Sequence, residues 1–281
     1  MESVRLKACA KINLTLFVTG REGEYHTLDS LVGSVNLYDT IAVKKRRDKQ
    51  ISVTMHGMGS ESIPFENNNA VKAAKLFVEK FGTGGADITV RKNIPMGAGL
   101  GGSSADAAGV LNGLAKLYKT DDTESLKLIA DRTGSDTRYM LSGGFARLSG
   151  RGNAVKVVKS KLKLHILLLV PDDSVSTAKC YGAFDGLGEF GGNSDAAERA
   201  AVENDLKGLA GEISNSLTQA AASLSDGIKK CIDELNELAP LAVNMTGSGS
   251  GVYALFENKK ACISARKSYK GSAKTFILEV K

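Results

Sequence analysis

The sequence predicts an α+β fold in two lobes, and three observations carry the prediction. Short alternating strands and amphipathic helices follow one another without regular βαβ alternation. The chain, at 281 residues, is long enough for one large domain or two medium ones. The lysine-rich stretch from Lys156 to Lys163 reads as a crossing between two halves, and each half contains a glycine-rich loop.

Residues 4–10 and 12–18 alternate with period two and read as strands that end at Thr19-Gly20-Arg21. Thr40 to Val43 and Ile51 to Met55 read as further strands. Asn68 to Phe81 is predicted helical because Val71, Ala74 and Val78 share a face, and Gly82 stops it. Asp87 to Arg91 alternates again and delivers the chain to Pro95. Beyond the loop, Ala107, Val110, Leu111 and Leu114 mark one stripe of a helix. Thr123 to Arg132 is a second helix, with Thr123 as N-cap and Gly134 as stop, and Ser135 to Arg138 opens a short helical segment. Gly143 to Ser149 and Leu164 to Val170 read as strands. Gly211 to Leu224 and Gly227 to Leu238 read as helices. Val243 to Thr246 is a short strand leading to the second glycine loop, Thr246 to Gly251. A strand (Val252 to Phe256), a helix (Asn258 to Tyr269) and a last strand (Lys274 to Val280) follow.

Composition bounds the partners. The formal net charge of +6 suits an anionic ligand, but Lys and Arg are scattered apart from the run Lys44-Lys45-Arg46-Arg47. That run follows a strand and reads as a solvated hairpin end, and the absence of Trp also argues against stacked-base recognition of nucleic acid. Cys9, Cys180, Cys231 and Cys262 lie far apart without a C-x-x-C pair, as expected of reduced, mostly buried thiols. His26, His56 and His165 are equally scattered, so a histidine metal site is not expected. The longest apolar run, Leu164 to Val170, is far too short for a bilayer, so a soluble cytoplasmic protein without a membrane partner is expected.

The chemistry concentrates in Pro95, Met96, Gly97, Ala98, Gly99, Leu100, Gly101, Gly102, Ser103, Ser104 and Ala105. A loop with so few side chains exposes its backbone N–H groups, and the helix behind it adds an N-terminal partial positive charge, which together make a phosphate cradle. Gly97, Gly99 and Gly102 also satisfy G-x-G-x-x-G, but the preceding stretch alternates, and no acidic-ended second strand follows. A dinucleotide fold is therefore not favoured. The Walker and protein-kinase signatures are absent. Lys11 sits in an otherwise apolar strand, where an unpaired ammonium is costly, so an acid partner is expected, with Asp136 the natural candidate. Asp136 follows a glycine at a helix start and suits a general base, although an N-terminal helix carboxylate fits the same position.

The loop resembles the Pro-x-x-x-Gly-Leu-Gly-x-Ser-Ser-Ala motif of the GHMP small-molecule kinases. Within that superfamily the chain is most similar to the branch that phosphorylates 4-diphosphocytidyl-2-C-methyl-D-erythritol in non-mevalonate isoprenoid precursor synthesis. Ala10-Lys11-Ile12-Asn13-Leu14, Gly23 to Leu28, Gly134-Ser135-Asp136, Val175 to Ala178 with Tyr181, Asn204-Asp205-Leu206 and Met245 to Gly249 resemble that branch's motifs in order. The resemblance implies an N-terminal lobe like ribosomal protein S5 over residues 1–158 and a ferredoxin-like lobe over 159–281. It also implies an enzyme that uses ATP and Mg2+ on a small-molecule substrate, as a monomer or homodimer. Asp136 would be the base and Lys11 its electrostatic partner; Tyr25 and Tyr181 would stack on cytosine, His26 would read its polar edge, and Asn13 and Thr177 would complete the substrate site. Ser104 would bind phosphate or Mg2+. The chain departs from the branch's pattern at Ser103, Ala105, Thr137 and Arg138. Other expectations are a GHMP kinase with a homoserine or mevalonate-type acceptor, and a non-catalytic nucleotide-binding homologue.

Overall fold

The computed structural model describes residues 2–60, 64–187 and 189–280. The chain divides into two compact units, one built from Met1–Ala10, Leu37–Met96 and Gly101–Gly143, the other from Lys11–Asn36, Gly97–Leu100 and Gly144–Lys281. Both contain strands and helices, as the α+β reading expects. Strand β1 spans Ser3–Asn13, β2 spans Thr15–Glu22 and β3 spans Tyr25–Lys45. Strands β1 and β3 thus supply residues to both units.

In the first unit, β5 (Ala86–Lys92) pairs antiparallel with the Thr40–Lys45 end of β3 and parallel with β4 (Ile51–Gly57). Helix α1 (Asn69–Phe81) packs on α2 (Gly102–Tyr118), followed by α3 (Thr123–Thr133) and the one-turn α4 (Thr137–Met140). Ile41, Val43, Ile88, Val90, Phe77, Val110, Leu111 and Leu114 are buried together in this unit's core. Helix α2 lies close on β3 because Gly109 and Gly113 carry no side chain. A Cβ on either would stand 2.7 Å from Ile41 or Val43. The N-cap of α3 is Asp122 rather than the expected Thr123, since its carboxylate reaches the Ser125 N–H at 2.9 Å.

In the second unit, β6 (Phe145–Gly150) pairs with Leu28–Gly33 of β3 and with β7 (Ala154–Val157). The main run of strands places β10 (Ala242–Met245), β11 (Val252–Phe256), β8 (Leu164–Val170), β12 (Lys274–Val280), β3, β2 and β9 (Ser214–Asn215) side by side. Among the described residues, six helices complete the unit: α5 (Thr177–Leu187), α6 (Asp195–Glu203), α7 (Leu206–Glu212), α8 (Thr218–Leu224), α9 (Asp226–Asn236) and α10 (Lys259–Ser268). Leu167, Leu169, Val252, Ala254, Leu217, Ile228, Leu235 and the buried thiols of Cys180, Cys231 and Cys262 form its core. Those thiols are free, as expected, and burial pushes Cys180 and Cys262 up to about 11.

Two of the elements that differ from expectation do so through long-range polar contacts. The helix predicted from Gly211 is interrupted, because Ser214 and Asn215 leave the helical path to pair in parallel with Thr15 and Leu16 of β2. The Asn215 amide then donates to the carbonyls of Met245 and Gly247 at 2.8 and 2.9 Å, a long-range anchor that local periodicity does not register. Strand β3 runs far beyond the predicted Thr40–Val43, since buried Ser30 and Asp39 break its apolar alternation while finding polar partners inside.

Candidate active site

The first glycine loop is held by both of its flanks and by its middle. Within the second unit, Ala98 to Leu100 lies backbone-to-backbone against the second glycine loop. Ser250 N–H donates to the Gly97 carbonyl at 2.8 Å, and Thr246 Oγ1 donates to the Gly99 carbonyl at 3.3 Å. Gly99 has a left-handed φ of 69°, and a Cβ there would stand 1.9 Å from the Thr246 carbonyl oxygen. Only glycine fits that approach. The Leu100 carbonyl accepts from the Lys11 N–H at 3.1 Å.

In the first unit, Gly101 caps α2 in the left-handed region with no side-chain cap, so the first turn of the helix presents its N–H groups without an internal acceptor. The first intrahelical bond runs from Ala105 N–H to the Gly101 carbonyl at 2.9 Å. Ser103 Oγ accepts from the Asn69 amide at 2.7 Å, and Ser104 is nearly buried one residue further along. Ser104 is thus not the N-cap, which leaves its hydroxyl as a hard oxygen in the first turn. Pro95 and Met96 precede this turn, with Met96 substantially exposed. The uncapped end of α2, with its dipole, is what a phosphate group needs.

Asp136 occupies the N-cap position of α4 and makes no side-chain cap bond there. Beside it Thr137 is fully buried, its Oγ1 without a hydrogen-bond partner. Arg138 pairs with Asp131 at 2.7 Å. Behind the loop, Lys92 lies between Asp39 and Asp106, all three side chains buried. Burial by itself would lower the Lys92 ammonium, yet the charges of Asp106 and Asp39 carry it above its ordinary value. Burial pushes the Asp106 carboxyl up to about 8, against the opposing pull of Lys92.

Lys11, in the second unit, is only 4% exposed, which excludes a solvent-facing strand residue. Its Nζ donates to Asn13 Oδ1. Asn13 is a node: Oδ1 also accepts from the Gly247 N–H at 3.0 Å, and Nδ2 donates to Ser30 Oγ at 2.8 Å. The residue expected at the acceptor therefore also ties Lys11 to the second glycine loop. Thr177, at the start of α5, shares a hydrogen bond with Ser248 of that loop at 2.9 Å.

Of the residues expected to hold a base, His26 and Tyr181 lie together within the same unit. The rings of His26 and Tyr181 lie 4.6 Å apart, tilted by 30°, with Phe184 and Phe190 beyond. Tyr25 is exposed, with the Arg151 guanidinium 3.5 Å from its ring centroid. His26 Nε2 is 2.7 Å from Asp185 Oδ1, and Arg21 pairs with the other oxygen. The hydrogen bonds from Arg21 and His26 hold the Asp185 carboxyl below the usual carboxylate range. Phe184, Asp185, Arg21 and Arg151 were not singled out from the sequence. The spacing of Phe184 and Asp185 from Tyr181, three and four residues on α5, is the signal that finds the first two.

Not every motif residue faces this chemistry. Asp205 caps α7 by accepting from the Gly208 N–H at 2.9 Å, and Asn204 ends α6 in the left-handed region with φ 59°. Arg46 of the basic run binds Asp48 and Asp87, each at 2.7 Å, as a strand-end brace. Among the described residues no group of three His, Cys, Asp or Glu could hold a metal ion, and no helix is long and apolar enough to cross a membrane.

The family model described as "GHMP kinases N terminal domain" matches residues 68–145, which span the glycine loop and Asp136, and "GHMP kinases C terminal" matches residues 197–269. The 4-diphosphocytidyl-2-C-methyl-D-erythritol kinase of Caldicellulosiruptor saccharolyticus is 37% identical over 278 residues, covering 97% of this chain and 95% of the relative. The chain belongs to the 4-diphosphocytidyl-2-C-methyl-D-erythritol kinase family of GHMP kinases. As a member it is an ATP-dependent kinase acting on a small-molecule alcohol. A crystal structure of 4-(cytidine 5'-diphospho)-2C-methyl-D-erythritol kinase superposes with a TM-score of 0.82 at 28% identity, covering 99% of this chain and 100% of that one. Homoserine kinase from Cytophaga hutchinsonii shares the fold, with a TM-score of 0.74, 15% identity and coverage of 100% and 95%.

Proposed function

We propose that the chain transfers the γ-phosphoryl group of ATP to the 2-hydroxyl of 4-diphosphocytidyl-2-C-methyl-D-erythritol, a step in isoprenoid precursor synthesis. The observation that carries this reading is the near full-length identity to enzymes of that name, joined to an aromatic cluster at His26 and Tyr181 that suits a pyrimidine. The uncapped start of α2 and the loop from Pro95 to Ala105 take the triphosphate. Asp136 accepts the proton of the 2-hydroxyl as its oxygen bonds to the γ-phosphorus. The bond from that phosphorus to the bridging oxygen breaks, and ADP leaves. Lys11 stabilises the charge on the acceptor side. Tyr25, Tyr181 and His26 hold the cytosine, with Asn13 and Thr177 beside them.

The donor set fits Mg2+ arriving with the nucleotide: the Ser104 hydroxyl is a hard oxygen at the α2 N-terminus, and no acidic cage is present among the described residues. Held by the Ser104 hydroxyl together with the triphosphate, Mg2+ would supply neutralisation of the phosphate charge. The chain acts in the cytoplasm, where ATP is abundant.

The test is ADP release with the cytidyl acceptor, measured beside homoserine and mevalonate. Asp136→Asn is expected to lower kcat about 10²- to 10⁴-fold, the range of general acid–base catalysis, with the ATP Kd retained. Tyr181→Ala should raise the acceptor KM while sparing the ATP KM. Unchanged turnover in Asp136→Asn, or turnover of homoserine in place of the cytidyl compound, overturns the assignment.

A further inference from the structure

The first unit contains a buried charge cluster that takes no direct part in phosphoryl transfer. Asp39 lies on β3, Lys92 ends β5 and Asp106 stands early in α2, with side chains 0, 2 and 4% exposed. Lys92 Nζ donates to one carboxylate oxygen of each acid, reaching Asp106 Oδ2 at 2.6 Å. The other Asp39 oxygen accepts the backbone N–H groups of Asn93 and Ile94 at 2.5 and 2.8 Å. Those two residues immediately precede Pro95. On the far side of the loop, a Cβ on Gly102 would stand 3.5 Å from Lys92 Nζ and 3.1 Å from Ile94 Cγ2. One ammonium and two acid side chains therefore fasten the entry of the glycine loop to the first turns of the helix that leaves it.

Such a cluster is a poor device for stability alone. Buried ion pairs are often replaceable by apolar side chains at no loss, and here two acids share one base while Asp106 Oδ1 is buried without a partner. What apolar packing does not supply is a fixed, directional spacing between two backbone segments. We propose that Lys92 and Asp106 are positioning residues for nucleotide binding: the Lys92–Asp106 hydrogen bond, keyed to Asp39, sets how the N–H groups at the start of α2 are presented to the triphosphate. The inference deepens the kinase reading and rests on it.

The test measures AMP-PNP binding by calorimetry, in parallel with KM values for ATP and for the cytidyl acceptor. Asp106→Asn keeps an oxygen for Lys92 and is expected to bind AMP-PNP near the wild-type Kd. Asp106→Leu keeps the branched shape but cuts the tether, and is expected to weaken AMP-PNP about tenfold to a hundredfold while the acceptor KM stays unchanged. If Asp106→Leu does not fold, Asp39→Asn/Lys92→Met/Asp106→Leu, which exchanges the cluster for neutral side chains, is read in the same way. A folded variant without the tether and with wild-type AMP-PNP affinity overturns the inference, as does equal loss of nucleotide and acceptor binding. Failure of the wild-type chain itself to bind AMP-PNP overturns the kinase reading, and the inference falls with it.

Discussion

Asp106 accepts from Lys92 through Oδ2 while its Oδ1 is enclosed without a partner, and burial pushes its carboxyl up to about 8 from an ordinary 3.8. Below 3.8 the folded and unfolded chains both hold this proton. Between 3.8 and about 8 only the folded chain does, so stability falls as pH rises through that window and levels off above it. The slope contributed is at most about 1.4 kcal/mol per pH unit. Urea midpoints taken from pH 5 to 8.5 should decline for the wild type and lose this component in Asp106→Asn; parallel profiles for the two would contradict the assignment. Lys11 and Asn13 show how far single residues were legible. The charge of Lys11 in an apolar strand marked it as a side chain that needs a partner, and its Nζ, buried as part of a 4% exposed residue, donates to the Asn13 amide oxygen, a neutral group that the expectation of an acid did not include. That Asn13 would brace Thr246 and Gly247 was not legible, because those residues are more than two hundred positions away.

At the level of elements, the two glycine loops depend on each other. The φ of 69° at Gly99 and its approach to the Thr246 carbonyl leave no room for a methyl group. Gly99→Ala is therefore expected to separate the loops, lowering the melting temperature and raising the ATP KM at least tenfold, a change of about 1.4 kcal/mol; steady-state kinetics and a thermal melt check both. The composition of each loop marked it as a tight backbone turn, and the helix after the first was visible in its apolar stripe. Their interlock was invisible, since backbone-to-backbone packing leaves no trace in side-chain pattern. Helices α5, α6 and α7 were missed for a related reason: Gly182, Gly186 and Gly208 and the many alanines dilute the apolar stripe on which periodicity depends.

Across the whole molecule, each compact unit is assembled from three separated stretches of chain. The α+β class was legible from the mixture of periods; the interleaving was not, because it is written in strand pairings far apart in sequence. Strand β12 is the sharpest case. It is the last element in the chain, yet it pairs with β8 from Lys274 to Val280 and meets β3 at Val35, in the interior of the strand order. A chain ending at Ser272 should therefore lose the cooperative fold of the second unit, seen as aggregation and rapid proteolysis, whereas a terminal appendage leaves the pairing intact. Soluble, protease-resistant truncated protein would refute this.

The position of β12 also bears on how the protein is made. A ribosome that has translated through α10 has still not supplied the strand that lies between β8 and β3. Until β12 emerges, the nascent second unit holds two open strand edges, and open edges recruit other chains. A ribosome that stalls after α10 and before β12 would thus leave this sheet open.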